Sequence, residues 1–183
     1  ASKIGADQLA ISFHRSFDLP LEIVRPFNTY GPRQSARAVI PTVIMQILNG
    51  QRRIQLGARH PTRDFSYVSD TAAGFAALAQ CDAAVGEVIN LGSGFEVSIQ
   101  DTAFAIAKAM GVEIEIAVDP QRMRPAASEV ERLFASTDKV HRLSDWRPAY
   151  AGHEGFVRGL AETVAWFREP ENTRAYKANI YNL

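Results

Sequence analysis

The chain has 183 residues, 46% hydrophobic and 22% charged, enough for one ordinary domain or pieces of two around a buried core. Its 20 basic and 20 acidic side chains cancel to a formal net charge of zero, so no electrostatic case exists for nucleic acid or an anionic membrane as the main partner. Cys81 is the only cysteine, which excludes an internal disulfide; no apolar run approaches the roughly 20 residues of a membrane span, no leader opens the chain, and a cytoplasmic setting is expected.

Ser2 to Asp18 reads as a helix, with Ile4, Leu9, Phe13 and Phe17 falling roughly on one face. Leu19-Pro20 ends it, and the apolar run Leu21-Glu22-Ile23-Val24 leads as a short buried strand into Arg25-Pro26. Pro26 is expected to stop that strand, and Gly31-Pro32 to break the chain again, leaving a polar, aromatic loop to Arg37. Such a loop at the end of a buried strand is where open α/β sheets place their ligands. Val39 to Leu48 suits a helix closed by Asn49-Gly50, and Ile54-Gln55-Leu56 alternates like a half-buried strand.

Arg63 to Val68 is a second β-like run, after which Asp70 is expected to cap a helix from Thr71 to Gln80. Gly86 to Gly92 is the clearest buried strand, glycine-bounded at both ends. A helix from Ile99 to Met110, a strand from Val112 to Val118, an irregular arginine-rich stretch from Pro120 to Phe134, and helices Thr137–Ser144 and His153–Arg168 follow. Tyr176, Ile180 and Tyr181 are expected anchors of an extended tail.

Helix-to-strand steps separated by a more mixed region predict an α/β protein of two intertwined lobes. His14, His60, His141 and His153 lack ligand-like spacing, so no metal is expected. Gly92-Ser93-Gly94 follows a strand but belongs to no phosphate-loop motif and reads as a turn. Cys81, with no base nearby, reads as inert.

Four stretches together carry a resemblance. The opening Ala1-Ser2-Lys3-Ile4-Gly5-Ala6-Asp7-Gln8-Leu9 resembles the catalytic helix of the extended short-chain dehydrogenase/reductases, the NAD-dependent epimerase/dehydratase family. There a Tyr-x-x-x-Lys motif sets tyrosine and lysine on one helical face; the tyrosine position falls upstream of Ala1. Arg25-Pro26-Phe27-Asn28-Thr29-Tyr30-Gly31-Pro32-Arg33 resembles the loop typical of members acting on nucleotide sugars. Arg63-Asp64-Phe65 through Val68 and Asp70 resembles the Arg-Asp-aromatic-x-x-Val-x-Asp segment. Arg122 to Val130 resembles the late loop over the nucleotide, with the spacing of the 4,6-dehydratases that make 4-keto-6-deoxy-N-acetylhexosamines for legionaminic-type sugars.

The resemblance implies the C-terminal part of a Rossmann-type parallel sheet interleaved with a smaller mixed α/β substrate-binding lobe. Residues 1–27 and 67–94 fall to the NAD-binding side, and 28–66 and 95–183 to the nucleotide-sugar side. It implies Lys3 as the catalytic lysine, Lys3, Pro26 and Phe27 beside NAD, and Asn28, Arg63 and Arg124 on the substrate diphosphate. Glu129 would take the nucleotide ribose, and Val39, Ile54 and Leu56 would flank the base. Asp64 is expected to hold a turn or orient Arg63. The implied reaction is NAD-dependent 4,6-dehydration of a nucleotide-diphosphate N-acetylhexosamine. The glycine-rich cofactor turn, the catalytic tyrosine and the dehydratase Asp-Glu pair belong to the family's first half, so this stretch alone is expected to be inactive. The alternatives are a 4-epimerase or decarboxylase of the same family, or a non-catalytic fragment that binds nucleotide sugar or forms a homodimer through its first helix.

Overall fold

Helix α1 (Ser2–Phe17) opens the chain of the computed structural model, which describes residues 1–123, 125, 128–174 and 176. Asp18 ends the helix in a left-handed conformation at φ 57°, its amide on the His14 carbonyl. The chain then enters β1 (Ile23–Pro26), which pairs in parallel with β5 (Val88–Leu91). Pro26 does not stop this strand: it stands opposite Leu91, and the Phe27 amide donates to the Leu91 carbonyl at 2.9 Å. The missing proline N–H is harmless at the end of a strand, where the next residue takes up the ladder.

The expected loop after Pro26 is itself partly strand. Asn28–Tyr30 forms β2 and pairs in parallel with β4 (Thr62–Tyr67), moving the chain directly from one sheet to another. On its other edge β4 takes the antiparallel β6 (Glu96–Ser98), while the short parallel β8 (Arg132–Leu133) pairs with the same Thr62 and Arg63 from the edge opposite β6. A third pair joins β3 (Arg53–Leu56) to β7 (Glu115–Val118), also in parallel.

Helices α2 (Val39–Leu48) and α4 (Ile99–Met110) follow the sequence expectation residue for residue. Ser98 caps α4 through its hydroxyl on the Asp101 amide, and Gly111 closes it at φ 71°, the two end signals helices use most. Helix α3 spans Val68–Leu78 and so starts before Asp70, which does not cap it. The Asp70 carboxylate instead accepts the amides of Ala149 and Tyr150 at 3.0 and 2.8 Å, tying α3 to the chain before α6 (Gly152–Arg168). The short α5 (Asp138–Leu143) and α7 (Pro170–Thr173) complete the helices among the described residues.

Two cores result. The larger joins α2, α4 and α6 across β2, β3 and β4, with Tyr30, Ile44, Phe156 and Leu160 fully buried. The smaller gathers Leu78, Ile89 and Leu91 with Val140 and Trp146 behind β1 and β5. Gly74 of α3 allows this approach, since a Cβ there would come within 2.7 Å of Leu91. Residues 138–146, assigned from sequence to the sugar-nucleotide side, thus pack into the core behind the β1–β5 pair.

Candidate nucleotide-sugar site

Where the chain leaves β1 for β2, a cavity of about 470 Å³ opens between the β4 sheet, the start of α2 and the residues Arg122, Glu129 and Val130. Asn28, Val39, Leu56, Arg63 and Glu129 all line it. Ile54 does not: it is fully buried in the larger core. Ile54 and Leu56 point to the same face of β3, so alternation cannot separate them; Leu56, at the end of the strand, is the one that reaches the wall. Arg124 lies outside the described residues, as do the expected tail anchors Ile180 and Tyr181.

Arg63 is only 9% exposed, deep in the wall rather than at a solvated strand end. Its guanidinium donates to the carbonyls of Thr62 and Val130 at 2.8 and 2.7 Å and to the Glu129 carboxylate at 3.1 Å. Fixed from three directions, the fork is oriented before any ligand arrives. Its neighbour Asp64 does not orient it. Asp64 is fully buried and accepts the Ser93 amide and hydroxyl at 2.8 and 2.7 Å and the Ala135 amide at 3.3 Å. The structural-turn alternative therefore holds, and the turn is Gly92-Ser93-Gly94.

Asn28, in contrast, makes no side-chain hydrogen bond among the described residues, which leaves its amide for a ligand. Helix α2 begins at the same wall, with Ala38, Val39 and Thr42 lining the cavity. Its cap position is Ala38, which has no side-chain acceptor, and no acid sits in its first turn. The first N–H groups and the positive end of the helix dipole are thus left for an anion. Among the described residues Arg37, Arg63 and Arg122 share the wall with Glu129, and Arg122 is itself paired with Asp119 at 3.0 Å.

Sequence reasoning missed Gln34 and Arg37 as wall residues. The signal was the polar run Arg33-Gln34-Ser35-Ala36-Arg37 beside a helix start. Behind the wall, burial pushes the phenols of Tyr30 and Tyr67 well above their ordinary range, so both stay neutral donors: Tyr30 to the Phe156 carbonyl and Tyr67 to Glu162.

On the other side of the crossover, Asp7 of α1 pairs with Arg25, bonded at 3.1 Å from Arg25 Nε. Lys3 stands one turn before Asp7 on the same helical face, exposed and without a hydrogen bond or ion pair among the described residues. Pro26 ends β1 directly after Arg25, and Phe27 follows it. The Asp7–Arg25 pair thus sets the N-terminal half of α1 beside the carboxyl end of β1, where Pro26 and Phe27 follow. Among the described residues no group of His, Cys, Asp and Glu could hold a metal ion, and no helix is long and apolar enough to cross a membrane. Cys81 donates its thiol to the Leu143 carbonyl at 3.0 Å.

Comparison with known proteins gives this geometry a context. The family model described as GDP-mannose 4,6 dehydratase matches residues 1–158. A dTDP-glucose 4,6-dehydratase of Streptomyces antibioticus is 30% identical over 169 residues, covering 92% of this chain and 48% of that protein. A UDP-N-acetyl-alpha-D-glucosaminuronate decarboxylase of Bacillus cytotoxicus is 36% identical over 160 residues, 84% of this chain and 48% of its own length. Among solved structures, the UDP-glucuronic acid 4-epimerase of Bacillus cereus, in complex with UDP-glucuronic acid and NAD, superposes with a TM-score of 0.79 at 26% identity. That match covers 90% of this chain and 50% of the epimerase. The chain spans about half the length of the curated relatives it matches.

Proposed function

The chain belongs to the GDP-mannose 4,6-dehydratase family, within the NAD-dependent epimerases and dehydratases of nucleotide sugars, and from that premise we propose that its cavity holds the nucleoside diphosphate of a nucleotide sugar. The observation that carries the reading is one wall shared by Arg63, the ligand-free amide of Asn28 and the uncapped start of α2. Each is a donor suited to phosphate oxygens, and the three come from separate elements. Glu129 faces the ribose, whose diol a carboxylate accepts well, and Val39 and Leu56 give the base its apolar contacts. Ile54 supports that wall from inside the core, and Arg124 completes the phosphate set on the strength of its motif alone. The division of labour we propose keeps residues 1–27 and 67–94 on the cofactor side and 28–66 with most of 95–183 on the nucleotide-sugar side, with Val140, Leu143 and Trp146 moved to the core behind β1 and β5.

The reaction of the whole protein is 4,6-dehydration of a nucleotide-diphosphate N-acetylhexosamine to its 4-keto-6-deoxy product. The spacing Arg124-Pro125 to Ser128-Glu129-Val130 and Arg132-Leu133 favours this outcome. In the structure Glu129 is tied to Arg63, and β8 to β4, so this end of the motif is built into the wall. Binding energy from the nucleotide orients the remote sugar, which is how such sites convert affinity into rate. The 4-epimerase outcome is the second reading, since both reactions need the nucleotide held alike and an epimerase shares this fold.

NAD, when bound, supplies the hydride acceptor and donor for such a redox cycle. Pro26 and Phe27 at the carboxyl end of β1, with Lys3 one helical turn from the Asp7 that pairs with Arg25, support a nicotinamide end there. The Gly92-Ser93-Gly94 turn is not read as its pyrophosphate site, since Gly92 is closed by Asp64, whose Oδ2 lies 2.7 Å from where a Cβ would stand. Lys3 contributes a free ammonium, placed to stabilise an oxyanion electrostatically. The exposed apolar residues of α1 are the surface through which two copies pair.

Calorimetric titration of the chain with UDP, dTDP and GDP tests the cavity. Binding of at least one is expected, weakened about tenfold or more by Asn28→Ala with Arg63→Gln together. Failure of all three to bind, or binding indifferent to both substitutions, removes the reading.

A further inference from the structure

The wall of the cavity depends on a residue far from it in sequence. Tyr176 follows α7 and carries its amide on the Thr173 carbonyl at 2.9 Å. Its ring packs edge-on against Phe167 at 5.1 Å and Trp166 at 6.3 Å, both at the end of α6. Asn172 braces α7 on the same helix by donating to the Trp166 carbonyl at 2.9 Å. From this anchored position the Tyr176 hydroxyl donates to the main-chain carbonyl of Gln34 at 2.9 Å, across 142 residues of sequence. Burial raises the pKa of that phenol, which keeps the donor protonated.

Gln34 is the centre of the segment between β2 and α2. Its side-chain amide donates to the Thr29 carbonyl at 2.8 Å, next to Asn28, and Gln34, Thr29 and Asn28 all line the cavity. The segment needs holding. Gly31 sits at φ 146°, and Arg33, which is not glycine, sits at φ 66° in the left-handed region. Its second half is tied to α2, with the Ala38 amide on the Ser35 carbonyl at 3.0 Å and the Thr42 hydroxyl on the Ala36 carbonyl at 3.0 Å, but around Gln34 the local bonds are weaker: Gln34 N to Gly31 O spans 3.3 Å, and the Gln34 side-chain oxygen is buried with no partner among the described residues. The Tyr176 bond is the tie that connects this strained segment to the packed end of α6.

We propose that Tyr176 is a positioning residue for the nucleotide cavity, acting through Gln34 to fix the Gly31–Ala38 segment and, with it, the Asn28 amide and the start of α2. The inference rests on the reading of the cavity as a nucleoside-diphosphate site. Its consequence is preorganisation: without the phenol hydroxyl the segment samples other conformations, and ligand binding must first order it.

The test compares the unaltered chain with Tyr176→Phe, which keeps the ring packing and removes only the donor, and Tyr176→Ala, which removes both. UDP titration and amide hydrogen exchange are measured on each. The expected result for Tyr176→Phe is UDP binding weakened about five- to tenfold, the scale of one hydrogen bond. Amide exchange should be faster in residues 31–38 and unchanged in α6, and saturating UDP should restore the protection. A purely structural role would instead speed exchange across α6 and α7 and leave affinity alone. If the unaltered chain binds UDP and Tyr176→Phe matches it within twofold, this inference falls and the cavity reading stands. If the unaltered chain binds none of UDP, dTDP and GDP, the cavity reading falls and takes this inference with it.

Discussion

Helices α1 and α6 are nearly the same length, 16 and 17 residues, yet they stand in opposite relation to the rest of the molecule. Helix α6 buries Phe156, Leu160, Thr163, Val164 and Phe167 at helical spacing. Its Gly159 lets the Tyr30 and Tyr67 rings press against the backbone, a Cβ there standing 2.9 Å from Tyr67. Helix α1 buries no residue, and Ile4, Leu9, Phe13 and Phe17 are 44–67% exposed. It is attached by polar contacts, through Asp7 to Arg25 and through His14 to the Leu19 carbonyl. The difference shows that apolar periodicity reports a face that wants covering but not what covers it. In α6 the cover is the chain's own helices α4 and α2 together with β4. In α1 the apolar face remains open to a second copy or to further protein.

The comparison predicts unequal responses to equal substitutions. Leu160→Ala, in a fully buried site, should lower stability by about 3 kcal/mol, within the usual 2–5 kcal/mol for such truncations, read by urea unfolding. A loss below 1 kcal/mol would mean that α6 is not the keystone of the larger core. Asp64→Ala should cost about 2 kcal/mol, since it strands the Ser93 and Ala135 donors in a fully buried place. It should also free the Gly92–Gly94 turn, visible as faster amide exchange there.

A smaller effect comes with alkaline pH. The folded-state pKa of Tyr67 is raised by burial and by its bond to Glu162, so the neutral phenol is favoured in the fold. The stability it contributes is fully present below the unfolded-state value near pH 10 and is lost as pH rises above it. Tyr67→Phe should flatten that alkaline decline, and an unchanged profile would show that Tyr67 is not its source. The smallest stability effect is expected for Leu9→Ser on α1, within about 0.5 kcal/mol. Sedimentation should nonetheless show reduced self-association. Strong destabilisation would mean that α1 is covered within the monomer.

What could be read from sequence alone divides along the same line. Helices α2 and α4 were legible to the residue because their limits are local: Asn49-Gly50 after one, Ser98 with Asp101 and Gly111 around the other. The β1–β5 strands were legible as apolar runs bounded by glycine and proline. Strand β2 was not, since three residues between Pro26 and Gly31 become a strand only by pairing with β4, some 37 positions away. Asp70 looked like a cap because the sequence shows the helix beside it and not Ala149 and Tyr150, which it holds from a distance. Ile54 looked as eligible as Leu56 because alternation identifies burial without identifying the cavity. Asn28, Arg63 and Glu129 were nominated by their motifs, but the Arg63–Glu129 pair spans 66 residues and required the fold. Tyr176 was expected only as an anchor, and its bond to Gln34 had no local signal at all.

The most direct measurement is a crystal structure of this chain soaked with UDP. The account predicts the diphosphate within hydrogen-bond distance of the Asn28 amide, the Arg63 guanidinium and the first amides of α2, with the ribose toward Glu129. UDP bound elsewhere, for instance over the Gly92–Gly94 turn, with the cavity free of it, would contradict the account at its centre.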